Sequence, residues 1–137
     1  MTESHLVAKK LALIETYLRE LRTEGHPEQI TTDLRELRFS EHTLQIAIQA
    51  ALDVASHIVS DERLGEPVTN RELFDLLARH NWIDQQLADR LRRMVGFRNL
   101  LVHGYAEVDP LVVKDVVERH IGDLDAFVAV IRARTQP

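Results

Sequence analysis

The sequence predicts an all-α protein of one domain, residues 1–137, folded as an up-and-down bundle of four to five helices. Apolar residues recur at three- and four-residue steps along nearly the whole chain, as they do on one face of a helix. Only five glycines and four prolines interrupt 137 residues, which is too few for a turn-rich sandwich or barrel. The apolar fraction of 45% is large enough to form one sizeable core.

Two apolar stripes mark the first two helices. One helix is predicted over residues 6–21 and ends near Gly25-His26-Pro27. The second is predicted from about residue 32 or 33 to about Asp61, on a stripe that comprises Leu34, Leu37, Leu44, Ile48, Leu52, Ala55 and Val59. Its length of roughly 28 residues favours a bundle, in which long antiparallel helices pack together.

A shorter third helix follows the loop over residues 63–68, which contains Leu-Gly-Glu-Pro. Thr69 and Glu72 have the spacing of a capping box. In that arrangement the Thr69 hydroxyl accepts a hydrogen bond from the amide of Glu72, and the Glu72 carboxylate reaches back. We expect this helix to end near His80-Asn81.

Two further helices complete the predicted bundle. Asp84 is the expected N-cap of a fourth helix that runs to about His103. Gly104 suits the end of that helix, because glycine tolerates the left-handed conformation. Asp109-Pro110 is typical of a helix start, with Asp as cap and Pro at the first helical position. We expect the fifth helix to run from there through Ile131 as one element.

Composition excludes several classes of function. The chain has no cysteine, which excludes disulfides, cysteine zinc sites and thiol nucleophiles. A formal net charge of −5 argues against a protein that coats polyanions in general, although it is compatible with a small basic site. None of the seven histidines has metal-site spacing on one helical face, so we expect neither a metal nor another cofactor.

The sequence also predicts a cytoplasmic protein without membrane association. No apolar run approaches the roughly 18 residues that span a bilayer. The start of the sequence, Met-Thr-Glu-Ser-His, lacks the charge and apolar run of a signal peptide.

Arg98 is the most informative residue, because it falls near the middle of an apolar helical face. That face consists of Leu87, Leu91, Met94, Val95, Leu101 and Val102. A guanidinium cannot be deprotonated and its unpaired burial is costly, so Arg98 must meet a carboxylate, carbonyl groups, a cleft or an interface. The simplest alternative is a structural ion pair with Asp53 or Glu41 of the second helix.

His103 follows Arg98 at a position roughly 140° around an ideal helix and about 7.5 Å along it. The two side chains therefore diverge within one helix, and converge if the helix ends at Gly104 or if a second chain contributes. Asn99 shares the face of His103 and could orient its imidazole. Alternatively, His103 only stabilises the C-terminal end of the helix dipole.

Other polar residues leave two readings open. Residues 84–105 hold four arginines against two aspartates, which fits a basic cleft or a solvated face formed by Arg90, Arg92 and Arg93. Asp53 and His57 are spaced to pair on one helical turn. A polar stripe free of Lys and Arg runs beside the core stripe of the second helix, as in a dimer seam, a cleft wall or solvated surface: Gln45, Gln49, Asp53 and Ser56.

The segment from Arg98 to His103, Arg-Asn-Leu-Leu-Val-His, resembles the Arg-x4-6-His motif of HEPN domains. Extended to Gly104-Tyr105, it becomes Arg-x4-His-x-Tyr and resembles the HepT toxins of bacterial HEPN–nucleotidyltransferase toxin–antitoxin pairs. The apolar run from Met94 to Phe97 and the segment from Ala47 to Ile58 add to this likeness. The resemblance spans nearly the whole chain.

This resemblance implies a HEPN-like homodimer that acts as a metal-independent endoribonuclease toxin of a type VII-like toxin–antitoxin pair. It implies that two motifs meet in one cleft, with Arg98 and His103 catalytic and with Asn99 and Asp53 supporting them. It also implies a minimal nucleotidyltransferase antitoxin that transfers AMP to Tyr105, giving O-AMP-tyrosine. The chemistry agrees, because RNA cleavage needs a proton acceptor or donor and a cation for the phosphate.

Two other functions remain open from the residues alone. In a non-catalytic helical interaction module, Arg98 would be a structural residue of an interface. A nucleotide-binding accessory subunit would bind its ligand without cutting RNA. An RNA-cleavage assay with His103→Ala as control distinguishes the ribonuclease from the interaction module, and nucleotide titration identifies the accessory subunit.

Overall fold

The computed structural model describes residues 4–103 and 108–136, and within them all regular secondary structure is helical. The predicted all-α class is confirmed. The described ranges contain six α-helices and one 3-10 turn at Pro27–Gln29: α1 (Ser4–Thr23), α2 (Leu34–Asp61), α3 (Asn70–Arg79), α4 (Gln85–His103), α5 (Pro110–Arg119) and α6 (Gly122–Thr135). None of the described helices is long and apolar enough to cross a membrane.

The predicted unbroken fifth helix is wrong, because the chain interrupts it and forms α5 and α6. His120 ends α5, with its amide bonded to the Val116 carbonyl at 3.0 Å, and α6 begins at Gly122. Glycine disfavours the interior of a helix, which fits a break at this point. The buried side chains keep helical spacing across the break, through Val117 and Ile121, and for this reason the apolar pattern concealed it.

The predicted caps are present, with one difference. Asp84 and Asp109 accept first-turn backbone N–H bonds at 2.7 and 2.9 Å. Thr69 is the N-cap of α3, but its hydroxyl makes no capping bond. Glu72 reaches back as expected, but its carboxylate accepts from the amide of Val68 at 2.6 Å and not from that of Thr69. Neither hydrogen bond of the predicted capping box therefore forms as expected, although Glu72 still reaches back to a backbone amide before the helix.

Antiparallel packing of neighbouring helices builds the bundle. Lys10 near the start of α1 contacts Asp53 in the second half of α2, so these two long helices run in opposite directions. Helices α3 and α4 also run antiparallel, because Arg71 lies against Gly96 whereas Asp75, one turn later on α3, lies close to Arg92, one turn earlier on α4. One continuous core joins all six helices, and in it the rings of Phe74 and Phe127 meet edge to face at 5.7 Å.

Candidate functional site

A cleft of about 770 Å³ opens between the first turn of α3 and the C-terminal half of α4. Arg98, Asn99 and His103 line it from α4, and Arg71 lines it from α3. Arg98 and His103 thus share one cleft within a single chain, although ideal helical geometry predicts that they diverge. The lining of the cleft extends along α4 to its last described turn, which contains His103.

Amide oxygens, and no carboxylate of the described residues, hold the guanidinium of Arg98. Its Nη1 donates to Asn99 Oδ1 at 3.1 Å, and its Nη2 donates to Gln49 Oε1 across the interface of α2 and α4. Its Nε is buried and has no hydrogen-bond partner in the described part of the chain. The alternative of an ion pair with Asp53 or Glu41 is wrong, since Asp53 pairs with Lys10, Glu41 pairs with Arg38, and neither lies within ion-pair distance of Arg98.

Several other arginines differ from Arg98 in their partners. Six of them in the described ranges lie within ion-pair distance of a carboxylate, namely Arg22, Arg38, Arg90, Arg92, Arg119 and Arg132. Arg98 is half-buried in the cleft wall and its two partners are neutral. Its positive charge is therefore not neutralised by the residues that orient it, which is the condition for attracting an anion.

Asp53 reaches Arg98 through Gln49. The Gln49 amide donates to Asp53 Oδ1 at 2.9 Å, and Lys10 Nζ donates to Asp53 Oδ2 at 3.2 Å. A glutamine can do this because one end of its side chain donates while the other accepts. The sequence singled out Asp53 and not Gln49, although the polar stripe on α2 already contained both residues.

The predicted pairing of Asp53 with His57 is wrong. His57 Nε2 lies 3.3 Å from Asp61 Oδ2, one turn further along α2, without the geometry of a hydrogen bond. Asp53 points the other way, toward Lys10 and Gln49.

His103 is exposed at the end of α4, and no described residue hydrogen-bonds to its ring. The expectation that Asn99 orients this imidazole is not met, because the Asn99 side chain contacts Arg98. The described part of the cleft is therefore lined both by an oriented guanidinium and by an imidazole to which no described residue hydrogen-bonds.

Arg71 is a cleft residue that the sequence analysis missed. Its guanidinium lies across the backbone of Gly96, where a Cβ atom would meet Arg71 Nη2 at 3.1 Å. The glycine in the middle of α4 was the available signal, since a helix interior without a side chain admits close approach of another group.

The remaining predictions fall partly outside this site. Arg90 and Arg92 form ion pairs with Asp123 and with Asp75, and of the predicted basic cluster only Arg92 lines the cleft. Tyr105 lies outside the described residues. Within the described ranges, no group of three or more His, Cys, Asp or Glu is placed to hold a metal ion.

Several known proteins are similar to this chain in sequence and in fold. The family described as "Ribonuclease HepT-like" matches residues 10–131. An mRNA nuclease HepT of Shewanella oneidensis is 35% identical over 129 residues, which are 93% of this chain and 97% of that protein. A tRNA nuclease HepT of Aphanizomenon flos-aquae is 33% identical over 113 residues, or 79% of this chain and 75% of that protein.

A solved structure of the tri-AMPylated Shewanella oneidensis HEPN toxin in complex with MNT antitoxin has the same fold. Its toxin chain superposes with a TM-score of 0.87 at 34% identity, covering 97% of this chain and 99% of that one.

Proposed function

This chain belongs to the HepT-like ribonuclease family, and we propose that it cuts RNA without a metal ion, in the cleft that Arg98 and His103 line. That it is an RNase of a toxin–antitoxin system follows from this membership and from the relatives in the family. One observation carries the proposed mechanism. The guanidinium of Arg98 is oriented by neutral partners that leave its charge in place, and it lines the same cleft as the imidazole of His103. We further propose that the protein works in the cytoplasm.

The proposed reaction uses the 2′-hydroxyl of the RNA as nucleophile. An imidazole accepts the hydroxyl proton, the 2′-oxygen bonds to phosphorus, and the 5′-oxygen leaves as it gains a proton. The products are a 2′,3′-cyclic phosphate end and a 5′-hydroxyl end. Negative charge grows on the phosphate oxygens during this step. The N–H groups of Arg98 that do not donate to Asn99 or Gln49 would stabilise this charge. Histidine suits the proton transfer because it is the side chain that can both accept and donate a proton in the physiological range of pH.

Alanine substitutions test this assignment. Arg98→Ala should lower the cleavage rate roughly 10²- to 10³-fold, as loss of a charge-stabilising donor does. His103→Ala should lower it by about 10²-fold or more, through loss of proton transfer. Both variants should remain helical and should no longer arrest growth. Cleavage by the natural protein should persist in excess chelator; loss of activity with EDTA, or full activity of His103→Ala, would exclude the mechanism.

We propose that two copies of the chain form the working enzyme. Several apolar side chains near the C-terminal end of α4 and the start of α5 are exposed in the single chain: Leu100, Val102, Leu111 and Val112. Such a patch is typical of a surface that another protein covers. A twofold axis near this end of α4 would place two Arg98–His103 pairs close together and supply one imidazole to accept a proton and one to donate it.

The proposed partner is a nucleotidyltransferase antitoxin that transfers AMP to Tyr105. Support comes from the related toxin, which is AMPylated and bound to MNT antitoxin in its solved structure. Tyr105 follows His103 by two residues, so an attached AMP would lie near the cleft. Its phosphate would compete with RNA for Arg98, and its base would obstruct entry.

A further inference from the structure

We propose that Arg71, whose guanidinium lies against Gly96, is a second RNA-binding residue. It binds the phosphate of the substrate that neighbours the phosphate at the cut. This inference rests on the proposed function and extends it to a residue of α3 in the same cleft. Arg71 belongs to α3, but its guanidinium reaches the backbone of α4, so the cleft would present cations from both helices to the RNA backbone.

The first support is the free charge of Arg71. Among the described residues it has no ion pair or hydrogen bond, although two acidic residues line the same cleft. Both acids are already engaged: Asp75 lies 3.5 Å from Arg92 Nε, and Glu72 accepts from the Val68 amide at 2.6 Å. The cleft therefore presents two cations, Arg71 and Arg98, whose charges no described carboxylate neutralises.

The second support is the position of the Arg71 guanidinium against the backbone of α4. Arg71 Nη2 and Cζ lie 3.1 and 3.6 Å from the position that a Cβ of residue 96 would occupy. Any side chain at position 96 would press on this guanidinium. Gly96 therefore lets the Arg71 guanidinium approach the backbone of α4 within the cleft that Arg98 also lines.

The first turn of α3 adds to the positive electrostatic potential of the cleft. Thr69 makes no capping bond, and the amides of Asn70 and Arg71 have no acceptor among residues that the structure describes. Unpaired amides at a helix N-terminus favour a nearby anion. They point to the same ligand as the guanidinium of Arg71, namely a phosphate of an extended RNA strand.

The test measures binding separately from cleavage. In a His103→Ala background, the affinity for a mixed-sequence single-stranded RNA is measured at several salt concentrations. Adding Arg71→Ala should weaken binding by about tenfold and reduce the slope of log K against log salt by about one, as loss of one phosphate contact does. In the active enzyme, Arg71→Ala should raise KM by a similar factor and leave kcat within about twofold.

Two variants serve as controls. Arg79→Ala removes the same charge from an exposed site on α3 that does not line the cleft, and it should change affinity less than about twofold. Arg71→Lys keeps the charge without the planar fork and should recover part of the lost affinity. Equal effects of Arg71→Ala and Arg79→Ala would overturn the inference. Failure of the unmodified protein to cut RNA would instead overturn the proposed function, whereas the binding result would still decide the role of Arg71.

Discussion

Gln49 accepts a hydrogen bond from Arg98 through its side-chain carbonyl, while the amide of the same side chain donates to Asp53 at 2.9 Å. The acidic residue thereby orients the arginine without neutralising it. A carboxylate at position 49 would reach the same guanidinium, but it would cancel the charge that a phosphate needs. A glutamine at this position is therefore part of the chemistry of the cleft.

Gln49→Glu should be more harmful to the enzyme than Gln49→Ala. The glutamate would pair with Arg98 and repel Asp53, so we expect cleavage to fall by roughly 10- to 100-fold through misplacement and neutralisation of the guanidinium. The alanine leaves the positive charge in place and removes only one of its two partners. The slope of log K against log salt for RNA binding should therefore fall by about one in Gln49→Glu and stay unchanged in Gln49→Ala, which a merely structural role of Gln49 does not predict.

Gln45→Glu is the matched control, since it introduces the same charge one turn earlier on α2, away from the cleft lining. It should leave both cleavage and the salt slope near those of the unmodified protein. If Gln49→Glu cut RNA as fast as the unmodified protein, the orienting role of Gln49 would be refuted.

Gly96→Ala should stabilise the fold and weaken RNA binding at the same time. Alanine is the better helix former, so the free energy of unfolding in urea should rise by about 0.5–1 kcal/mol. The new Cβ would meet Arg71 Nη2 at 3.1 Å, and this exposed guanidinium would have to shift by a few tenths of an ångström, away from its position in the cleft. Gly122→Ala, whose Cβ meets no atom within 4 Å, should leave RNA binding unchanged. Destabilisation by Gly96→Ala would mean that Arg71 cannot move.

The sequence predicted most of the fold because the helical stripes and caps are local signals. The first four helices lie within a few residues of their predicted bounds, and Asp84 and Asp109 cap as expected. The break at His120 escaped prediction because the buried stripe continues across it. Periodicity reports which residues face the core, and it does not report whether the backbone between them is one helix or two.

The sequence predicted those site residues whose chemistry follows from residue type and position on a helix alone. A permanent cation on an apolar face identified Arg98 as unusual. Its partners were not predictable, because Gln49 lies 49 residues away in the chain and meets Arg98 only when α2 packs on α4. Arg71 was missed for the same reason, since its approach to Gly96 depends on the packing of α3.

A charge placed in the exposed apolar patch should dissociate the proposed dimer. The unmodified protein should sediment as a dimer at micromolar concentration, whereas Val112→Glu should sediment as a monomer and lose most of its cleavage activity. Leu34→Glu alters another exposed apolar residue, at the start of α2, and should remain dimeric. A monomeric unmodified protein that still cuts RNA would contradict this prediction.

The ion pair between α1 and α6 should make stability depend on pH. Arg132 donates hydrogen bonds to both carboxylate oxygens of Glu15, at 2.6 and 3.0 Å, and these bonds lower the pKa of Glu15 below its usual 4.5. The charged carboxylate therefore stabilises the fold above the ordinary pKa, and this contribution is lost as the pH falls through the lowered one. Because the pair is largely exposed, Glu15→Gln should cost at most about 1 kcal/mol near neutral pH.

That difference should disappear in acid and shrink in high salt. Urea unfolding of the unmodified protein and of Glu15→Gln, followed from neutral pH to below pH 4.5, measures it. Glu20→Gln is the control on the same helix, since Glu20 is exposed and pairs with no described residue. A difference between Glu15→Gln and the unmodified protein that did not change with pH would show that the ion pair is not its source.

AMP transfer to Tyr105 should inactivate the enzyme without unfolding it. In the proposed reaction the Tyr105 hydroxyl loses its proton and attacks the α-phosphorus of ATP, so that pyrophosphate leaves and one phosphodiester remains on the ring. Coexpression with the partner nucleotidyltransferase should then add one or more AMP masses, mapped to Tyr105. Tyr105→Phe should stay toxic and escape neutralisation by modification.

The second tyrosine supplies the control for this prediction. Tyr17 lies half-buried on α1, and Tyr17→Phe should be modified and neutralised like the unmodified protein. The modified protein should keep its helical content. It should bind RNA as weakly as Arg98→Ala does, because the new phosphate would bind the guanidinium that Gln49 and Asn99 orient. An adduct on Tyr17, or full RNA affinity after modification of Tyr105, would refute this mode of inhibition and leave the ribonuclease mechanism intact.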